Sequence, residues 1–475
     1  MNRKNRKMYS NIAKILAGSL AVAVMAFSSN VFALQAPKLN KKEEGAALKH
    51  HLDHKHHIKK TEKGWKLPKG WKLDSIGGLS YEHPDDPSYW FKLSGLVRLD
   101  DTVLMGSYRD KKADFPTGSN LRTAELYFDG GVGEFWEYTL TLGFKSSSVY
   151  FGDTWLSYSG FLDNNQVFVG RVPGQWFGLD SSNSGSWNPF LERSLPILAF
   201  YPGDGLGVMT DFWWDNGAIT LTAMQPDVKN AIDPNSLVDG NANNKDVMLG
   251  VRDRWKGTVR LTMAPIHDPG DVWHFGVSGA YREVVSAVNG VAITNIIGFS
   301  TYPSARARNT ASLLNTSYDG NTPVSIRANN VRLFNVEAAR QIGPFMLEGE
   351  YTNVFVHRVG DNLGTLRFEG YNIQTRYLLT GESHSYDVRD GNFGSIKPRC
   401  EYGAFEVAAR YDFIELNDKN IRGGSEHNVT VGLNWFLNQN VRLSANYICA
   451  AIHPANDLQK RNLDILGMRL QIRFK

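Results

Sequence analysis

Basic residues recur with an even spacing in one stretch of this chain: Arg252, Arg254, Lys256 and Arg260. Residues an even number apart share one face of a β-strand, so these four would form a ladder of cations. A guanidinium group donates paired hydrogen bonds to phosphate or carboxylate oxygens, and successive cations offer an anion several sites of similar affinity. The ladder therefore indicates anion contacts. An alternative stays open, in which such arginines pair with facing carboxylates and stiffen the fold.

A second set of residues suited to chemistry is a histidine tract near the N-terminus. Five histidines occupy eight positions: His50, His51, His54, His56 and His57. Imidazoles at this density can hold Zn²⁺, Cu²⁺ or Ni²⁺, although a solvated extension has the same composition. The remaining histidines lie in no recognisable nucleophile motif. No catalytic residue, cofactor or enzymatic activity is therefore predicted.

Amphipathic strands are the elements that would position the cations. In residues 463–474, Leu466, Met468 and Leu470 alternate with Arg469 and Gln471. A period of two puts the apolar set and the polar set on opposite faces. About ten residues in a tilted strand cross the hydrocarbon core of a bilayer. This segment is therefore predicted to be a transmembrane β-strand.

Sixteen segments of this character can be read along the chain. They are residues 91–100, 121–130, 134–145, 150–160, 165–171, 206–214, 217–226, 250–263, 272–283, 328–340, 344–356, 365–379, 402–412, 428–437, 440–451 and 462–474. An even strand number leaves both ends of the barrel in the periplasm, and sixteen strands enclose an aqueous channel. We therefore predict an all-β protein: a 16-stranded antiparallel transmembrane β-barrel with short periplasmic turns. Long external loops are expected at 172–205, 227–249 and 284–327.

The N-terminus predicts export. A basic start and an apolar run at 15–27 precede Val31 and Ala33, which suit cleavage after residue 33. The predicted organisation is a signal peptide at 1–33, a periplasmic His-rich extension at 34–88 and a barrel domain at 89–475. No other stretch reaches 18 consecutive apolar residues, which argues against a helical membrane protein. Loss of residues 1–33 leaves 47 basic against 48 acidic residues, so no nucleic-acid partner is indicated.

Four segments carry a family resemblance. They are residues 190–196, 377–383, 403–411 and 432–443. In combination with the strand order, from about residue 91 onward the chain resembles the phosphate-selective porin O and P family of Gram-negative outer membranes. The resemblance implies a homotrimer of sixteen-stranded barrels, each an anion channel narrowed by an infolded loop that carries lysine.

Two departures from the family pattern fall at the predicted constriction loop. Arg171 follows Gly170 where relatives carry a lysine, and Asp204 follows Gly203 where a basic residue is common. Glu192 and Arg193 lie in the same loop. The loop therefore lacks the dense cationic girdle needed to strip water from phosphate, so family membership does not by itself imply phosphate specificity.

The alternation of side chains along each strand predicts which residues line the lumen, independently of the family resemblance. Eight further basic residues face inward: Arg98, Lys145, Arg282, Arg376, Arg410, Arg442, Arg469 and Arg473. The inward acids on the same basis are Asp100, Glu137, Asp153, Glu337, Glu348, Glu350, Glu406 and Asp412. Twelve cations against eight carboxylates predict a moderate preference for anions, because low-dielectric walls focus the field in a narrow pore.

The sequence thus predicts an outer-membrane diffusion porin with a water-filled channel for small, preferentially anionic solutes. Phosphate and polyphosphate are candidate solutes. The expected partners are membrane lipid, lipopolysaccharide, further copies in a homotrimer, and a divalent metal at the histidine tract. Two alternatives stay open: a general or weakly selective porin, and a metal-scavenging or adhesive outer-membrane protein that acts through the extension.

Overall fold

The computed structural model describes part of the chain. The described residues are 67–73, 78–105, 117–145, 148–173, 177–226, 253–284, 287–288, 291–292, 296–305, 314–316, 318–319, 322–323, 326–360, 363–454 and 461–474. The predicted signal peptide and the histidine tract lie outside them. From Pro68 onward the chain forms one compact unit. No helix within the described ranges is long and apolar enough to cross a membrane.

Sixteen strands form the wall of the molecule. They are β1 Trp90–Met105, β2 Gly118–Val132, β3 Trp136–Lys145, β4 Ser148–Tyr158, β5 Asn165–Val172, β6 Gly205–Trp214, β7 Gly217–Pro226, β8 Asp253–Asp268, β9 Asp271–Val284, β10 Ile326–Ile342, β11 Phe345–Arg358, β12 Leu366–Leu378, β13 Ala404–Asp418, β14 Ile421–Phe436, β15 Val441–Pro454 and β16 Arg461–Phe474.

Each strand pairs antiparallel with the next, and the last strand returns to the first. In the closing pair, Phe474 lies opposite Gly95 and Asp464 opposite Met105. The predicted closed 16-stranded barrel is therefore confirmed. Its alternation is that of a membrane barrel, because large apolar side chains such as Phe275 and Val277 remain 44% and 43% exposed on the outer face.

The strands differ in length around the barrel. β3 to β7 have 8 to 11 residues, whereas β8 to β16 have 13 to 17. β13 and β14 run to Asp418 and from Ile421, well beyond the predicted 402–412 and 428–437. Over the residues that the structure describes, the flank of β3 to β7 is therefore shorter than the rest of the barrel.

Two loops fold into the barrel. The constriction loop, residues 173–204, joins β5 to β6 and contains α1 Leu179–Ser182 and α2 Leu195–Phe200, both largely buried. The inner loop, residues 379–403, joins β12 to β13 and contains a small hairpin that pairs Tyr386–Asp387 with Asn392–Phe393. Apolar side chains of both loops pack inside the lumen, where Phe393 and Leu179 belong to one buried cluster and the Phe393 N–H donates to the Asn183 side chain at 2.9 Å.

The inner loop corrects one part of the predicted fold. It leaves the barrel at the end that holds Trp90 and Phe474, which is the end predicted to be periplasmic. Four other connections at that end are tight: 133–135, 215–216, 269–270 and 343–344. Short turns were predicted throughout. Residues 379–403 depart from this because Phe393 and Ile396 bury apolar surface inside the barrel.

A short hairpin precedes the barrel. Its strands are Trp71–Leu73 and Leu79–Glu82, and the second strand pairs with β1 so that Leu79 lies opposite Leu93. It extends the sheet at the part of β1 that β16 does not reach. The later residues of the predicted extension 34–88 thus contribute to the barrel sheet, while the predicted domain boundaries themselves stay a prediction.

Candidate functional site

The constriction loop is tied together by Asp180. This carboxylate accepts a hydrogen bond from the backbone N–H of Ser194 at 2.8 Å and lies 3.7 Å from the guanidinium of Arg193. Arg193 also donates to the carbonyl oxygen of Asn183 at 2.8 Å. The one basic residue predicted in this loop is therefore used within the loop itself.

Glu192 is buried at the wall rather than free in the pore. Arg122 donates two hydrogen bonds to its carboxylate, at 2.7 and 3.1 Å. Strand parity did not find Arg122, because a β-bulge at Arg98 and Leu99 shifts the β1–β2 register by one residue. No local sequence signal marks that bulge, so only the structure brings Arg122 to the lumen.

Asp204 ends the constriction loop. Arg171 donates to one of its oxygens at 2.9 Å and the Tyr201 hydroxyl donates to the other at 2.5 Å. Burial, with the neighbouring Asp204 charge as the second cause, raises the pKa of Tyr201 well above its ordinary value. Lys256 donates from Nζ to the carbonyl oxygens of Pro202, Gly203 and Asp204, at 2.6 to 3.0 Å. The loop end is therefore clamped to β8.

Arg260, also on β8, holds the inner loop in the way that Lys256 holds the constriction loop. It donates to Glu337 Oε1 at 2.6 Å, and also to the carbonyl oxygens of Asp390 and Gly391. His274 shares Glu337 Oε1 at 3.0 Å. Of the predicted cation ladder, Lys256 and Arg260 thus hold infolded loops. Arg252 and the side chain of Arg254 lie outside the described part of the chain.

Three further predicted inward arginines form buried ion pairs. Arg376 donates to Glu348, Arg410 lies 2.6 Å from Asp412, and Arg469 donates to Asp100 at 2.6 and 2.7 Å. Each carboxylate neutralises its arginine. Together with Arg260, these arginines form a set that we call the paired arginines.

A different set, the arginine cluster, consists of Arg98, Arg442 and Arg473 on β1, β15 and β16. Arg98 and Arg442 both donate to the side-chain oxygen of Gln471, at 3.0 and 3.4 Å. The Arg473 guanidinium lies 5.7 Å from the ring centre of Trp187. Within the described ranges, no member of the cluster forms an ion pair. Among the described residues, no carboxylate therefore neutralises their positive charge through an ion pair.

Carboxylates face the lumen on the neighbouring strands. Glu125 on β2 accepts hydrogen bonds from the hydroxyls of Tyr127 at 2.5 Å and Tyr150 at 3.1 Å, and forms no ion pair in the described residues. Asp153 lies 3.8 Å from Arg171 with 38% of its side chain exposed. Asp153 was predicted to face inward, whereas Glu125 was not found from the sequence.

Comparison with known proteins agrees with this geometry. The family model described as phosphate-selective porin O and P matches residues 91–474. The chain belongs to this family. Porin O of Pseudomonas aeruginosa is 26% identical over 386 residues, which are 77% of this chain and 84% of that protein. The porin is thus a channel of the Gram-negative outer membrane rather than an enzyme, as predicted.

A solved structure supports the barrel fold of the porin. An anion-selective porin from Comamonas acidovorans aligns with a TM-score of 0.50 at 11% identity, and the match covers 81% of this chain and 99% of that one. At this identity the likeness concerns the fold alone. The residues that set selectivity must therefore be argued from the porin's own lumen.

The inner loop of the porin crosses its periplasmic mouth. Arg389 at its tip donates to Gln166 on β5, lies 3.7 Å from Asp211 on β6 and covers the ring of Trp213 at 4.5 Å. At the root of the loop, His384 contacts Glu406 at 2.9 Å. The loop is therefore anchored on opposite walls, beside a cavity of about 290 Å³.

Two predicted lining residues remain. The side chain of Lys145 lies outside the described part of the chain, and Arg282 lies on β9. Arg282 lies opposite Lys256 in the β8–β9 register and is half-buried. All predicted inward cations whose side chains are described thus lie on the inner wall or at a loop. Their surroundings differ, however, and separate them into two groups. Some hold the fold together, and the arginine cluster keeps an uncompensated charge.

Proposed function

We propose that this outer-membrane porin passes small solutes with a preference for anions. The observation that carries the proposal is the arginine cluster, in which Arg98 and Arg442 share one neutral amide oxygen instead of a carboxylate. A cationic wall in a narrow, water-filled pore raises the local concentration of anions. Several weak sites also allow an anion to leave as readily as it enters.

The geometry favours small anions in general over phosphate in particular. The Nζ of Lys256 already donates to three backbone carbonyls, and Arg193 is held by Asp180. Neither can wrap a phosphate without giving up contacts that hold the constriction loop. Phosphate and polyphosphate therefore remain candidate solutes without a dedicated site in the described lumen.

The alternative of a weakly selective porin has its own support. Glu125 and Asp153 face the same lumen as the cluster, and their charge opposes anion entry. The balance between the two sets decides the selectivity, and a direct electrical measurement distinguishes the two functions.

The test is a reversal potential in a planar bilayer under a KCl gradient. The wild type is expected to be anion-selective, and the double variant Arg98→Gln/Arg442→Gln is expected to shift toward cations. A matched control, Arg358→Gln/Arg367→Gln, removes two arginines at the external ends of β11 and β12 and should leave the potential unchanged. A cation-selective wild type, or an unchanged cluster variant, would overturn the proposal. Tight block of the chloride current by low phosphate would restore phosphate specificity.

Assembly as a homotrimer is a second part of the proposal, supported by the short flank. β5 has 8 residues, which at strand rise and a tilt of about 40° span roughly 20 Å. A lipid-facing band is about 25 Å tall, so lipid would have to thin around this flank. Contact with neighbouring copies relieves that mismatch and covers Phe151, which is 61% exposed. Cross-linking in mild detergent should yield trimers, and monomers alone would count against them.

A further inference from the structure

Arg98 and Glu125 are close neighbours of opposite charge on the inner wall. In the β1–β2 register Arg98 lies opposite Thr123 and Leu96 opposite Glu125, so the two charged residues occupy diagonal positions. Residues in such a diagonal pair are about 7–8 Å apart, with their Cβ atoms somewhat closer, within reach of long side chains. Both side chains are half-buried. An ion pair between them would be the ordinary outcome.

The two side chains are nevertheless held apart. Arg98 is drawn toward β16 and the constriction loop, because it donates to Gln471 at 3.0 Å and contacts the Ser186 hydroxyl at 3.5 Å. Glu125 is held by two tyrosines, because one of its oxygens accepts a hydrogen bond from Tyr127 on its own strand β2 and the other from Tyr150 on β4. The wall therefore presents a cation and an anion side by side, each fixed by neutral partners.

The neighbours of the two residues differ in how their charges are balanced. On the Arg98 side, Arg442 shares the same Gln471 oxygen. On the Glu125 side, Asp153 and Asp204 both lie within 4 Å of Arg171, at 3.8 and 2.9 Å. Among the described residues, the cations without an ion pair at this wall therefore lie on β1, β15 and β16, and Glu125 on β2 is a carboxylate without one.

We propose that Arg98 and Glu125 form a dipolar subsite that favours zwitterionic solutes, of which amino acids are the simplest class. The solute carboxylate would accept hydrogen bonds from Arg98, and its ammonium group would donate to Glu125. This specifies a solute class for the proposed porin and rests on that function. Exposed ion pairs contribute about 0.2–1 kcal/mol each, which suits passage rather than retention.

The experiment compares three solutes of nearly equal size: alanine is a zwitterion, lactamide is neutral and lactate is an anion. Swelling of proteoliposomes measures alanine and lactamide, and a potassium lactate gradient measures lactate. In the wild type, alanine is expected to enter roughly 1.4- to five-fold faster than lactamide, the ratio that corresponds to one such ion pair. Glu125→Gln should abolish this advantage and leave lactate passage equal or faster.

Glu134→Gln is the matched control, since it removes a carboxylate from the turn that follows β2. It should keep the alanine advantage. Equal entry of alanine and lactamide in the wild type, or an unchanged ratio in Glu125→Gln, would overturn the inference. Failure of the proposed anion preference is a separate result, because it appears in the KCl reversal potential of the same channels. Folding of each variant is checked by heat-modifiable migration on gels.

Discussion

Arg376 and Arg442 point into the same lumen and are each 2% exposed, yet their surroundings differ. Arg376 donates to the carboxylate of Glu348 at 2.9 Å, so the pair is neutral as a unit. Arg442 donates to a backbone carbonyl of Asn188 at 2.9 Å and to an amide oxygen. The difference shows that an inward arginine is an anion site only where no carboxylate neutralises it. Elsewhere it is part of the wall.

The largest expected effect is a loss of folding stability when one of the paired arginines is replaced. Arg376→Gln leaves Glu348 buried without its cation, which typically costs 3–5 kcal/mol, so we expect a strong loss of folded protein in urea titrations. Arg442→Gln orphans no carboxylate and should cost much less. The double variant Arg376→Gln/Glu348→Gln should recover most of the loss. Equal destabilisation by the two single variants would remove the distinction between the two sets.

A smaller effect is expected at Arg389, which belongs to neither set because it holds the inner loop against the far wall. Hydrogen bonds to charged groups are worth about 1.5–3 kcal/mol. Arg389→Gln should therefore loosen the loop, raise single-channel conductance and increase current noise. Lys397→Gln, which changes an exposed residue of the same loop, is the control. Conductance and noise equal to those of the wild type would show that Gln166 and Asp211 do not latch the loop.

The smallest effect concerns the pH dependence of the same loop. Burial, and next the charge of Asp387, raise the pKa of Asp390 from its ordinary value to about 6, while Arg389 and Arg260 oppose this. Because this pKa is raised, the contribution of the neutral carboxyl to docking is full below about pH 4 and is lost as pH rises through 6. Current noise should therefore grow modestly between pH 5 and 7. Asp390→Asn should flatten that dependence, and an identical profile would contradict it.

The sequence predicted the barrel well because its physics is local and periodic. All sixteen predicted segments overlap a strand of the structure in the same order, since a side-chain period of two depends only on neighbouring residues. Parity also identified the inward faces of Arg98, Arg376 and Arg442. It failed at Arg122, because one bulge in β1–β2 reverses the facing of the next residues.

The sequence by itself determined the class, the strand number and the chemistry of each face, because alternation and the family motifs are properties of consecutive residues. Only the tertiary structure decided which cations stay uncompensated, because the partners of an arginine come from distant segments: Asp100 for Arg469 and Gln471 for Arg98. It also decided that residues 379–403 cross the lumen, since the cluster that buries Phe393 and Leu179 contains residues of both loops. Selectivity therefore depends on contacts between segments that are distant in the sequence.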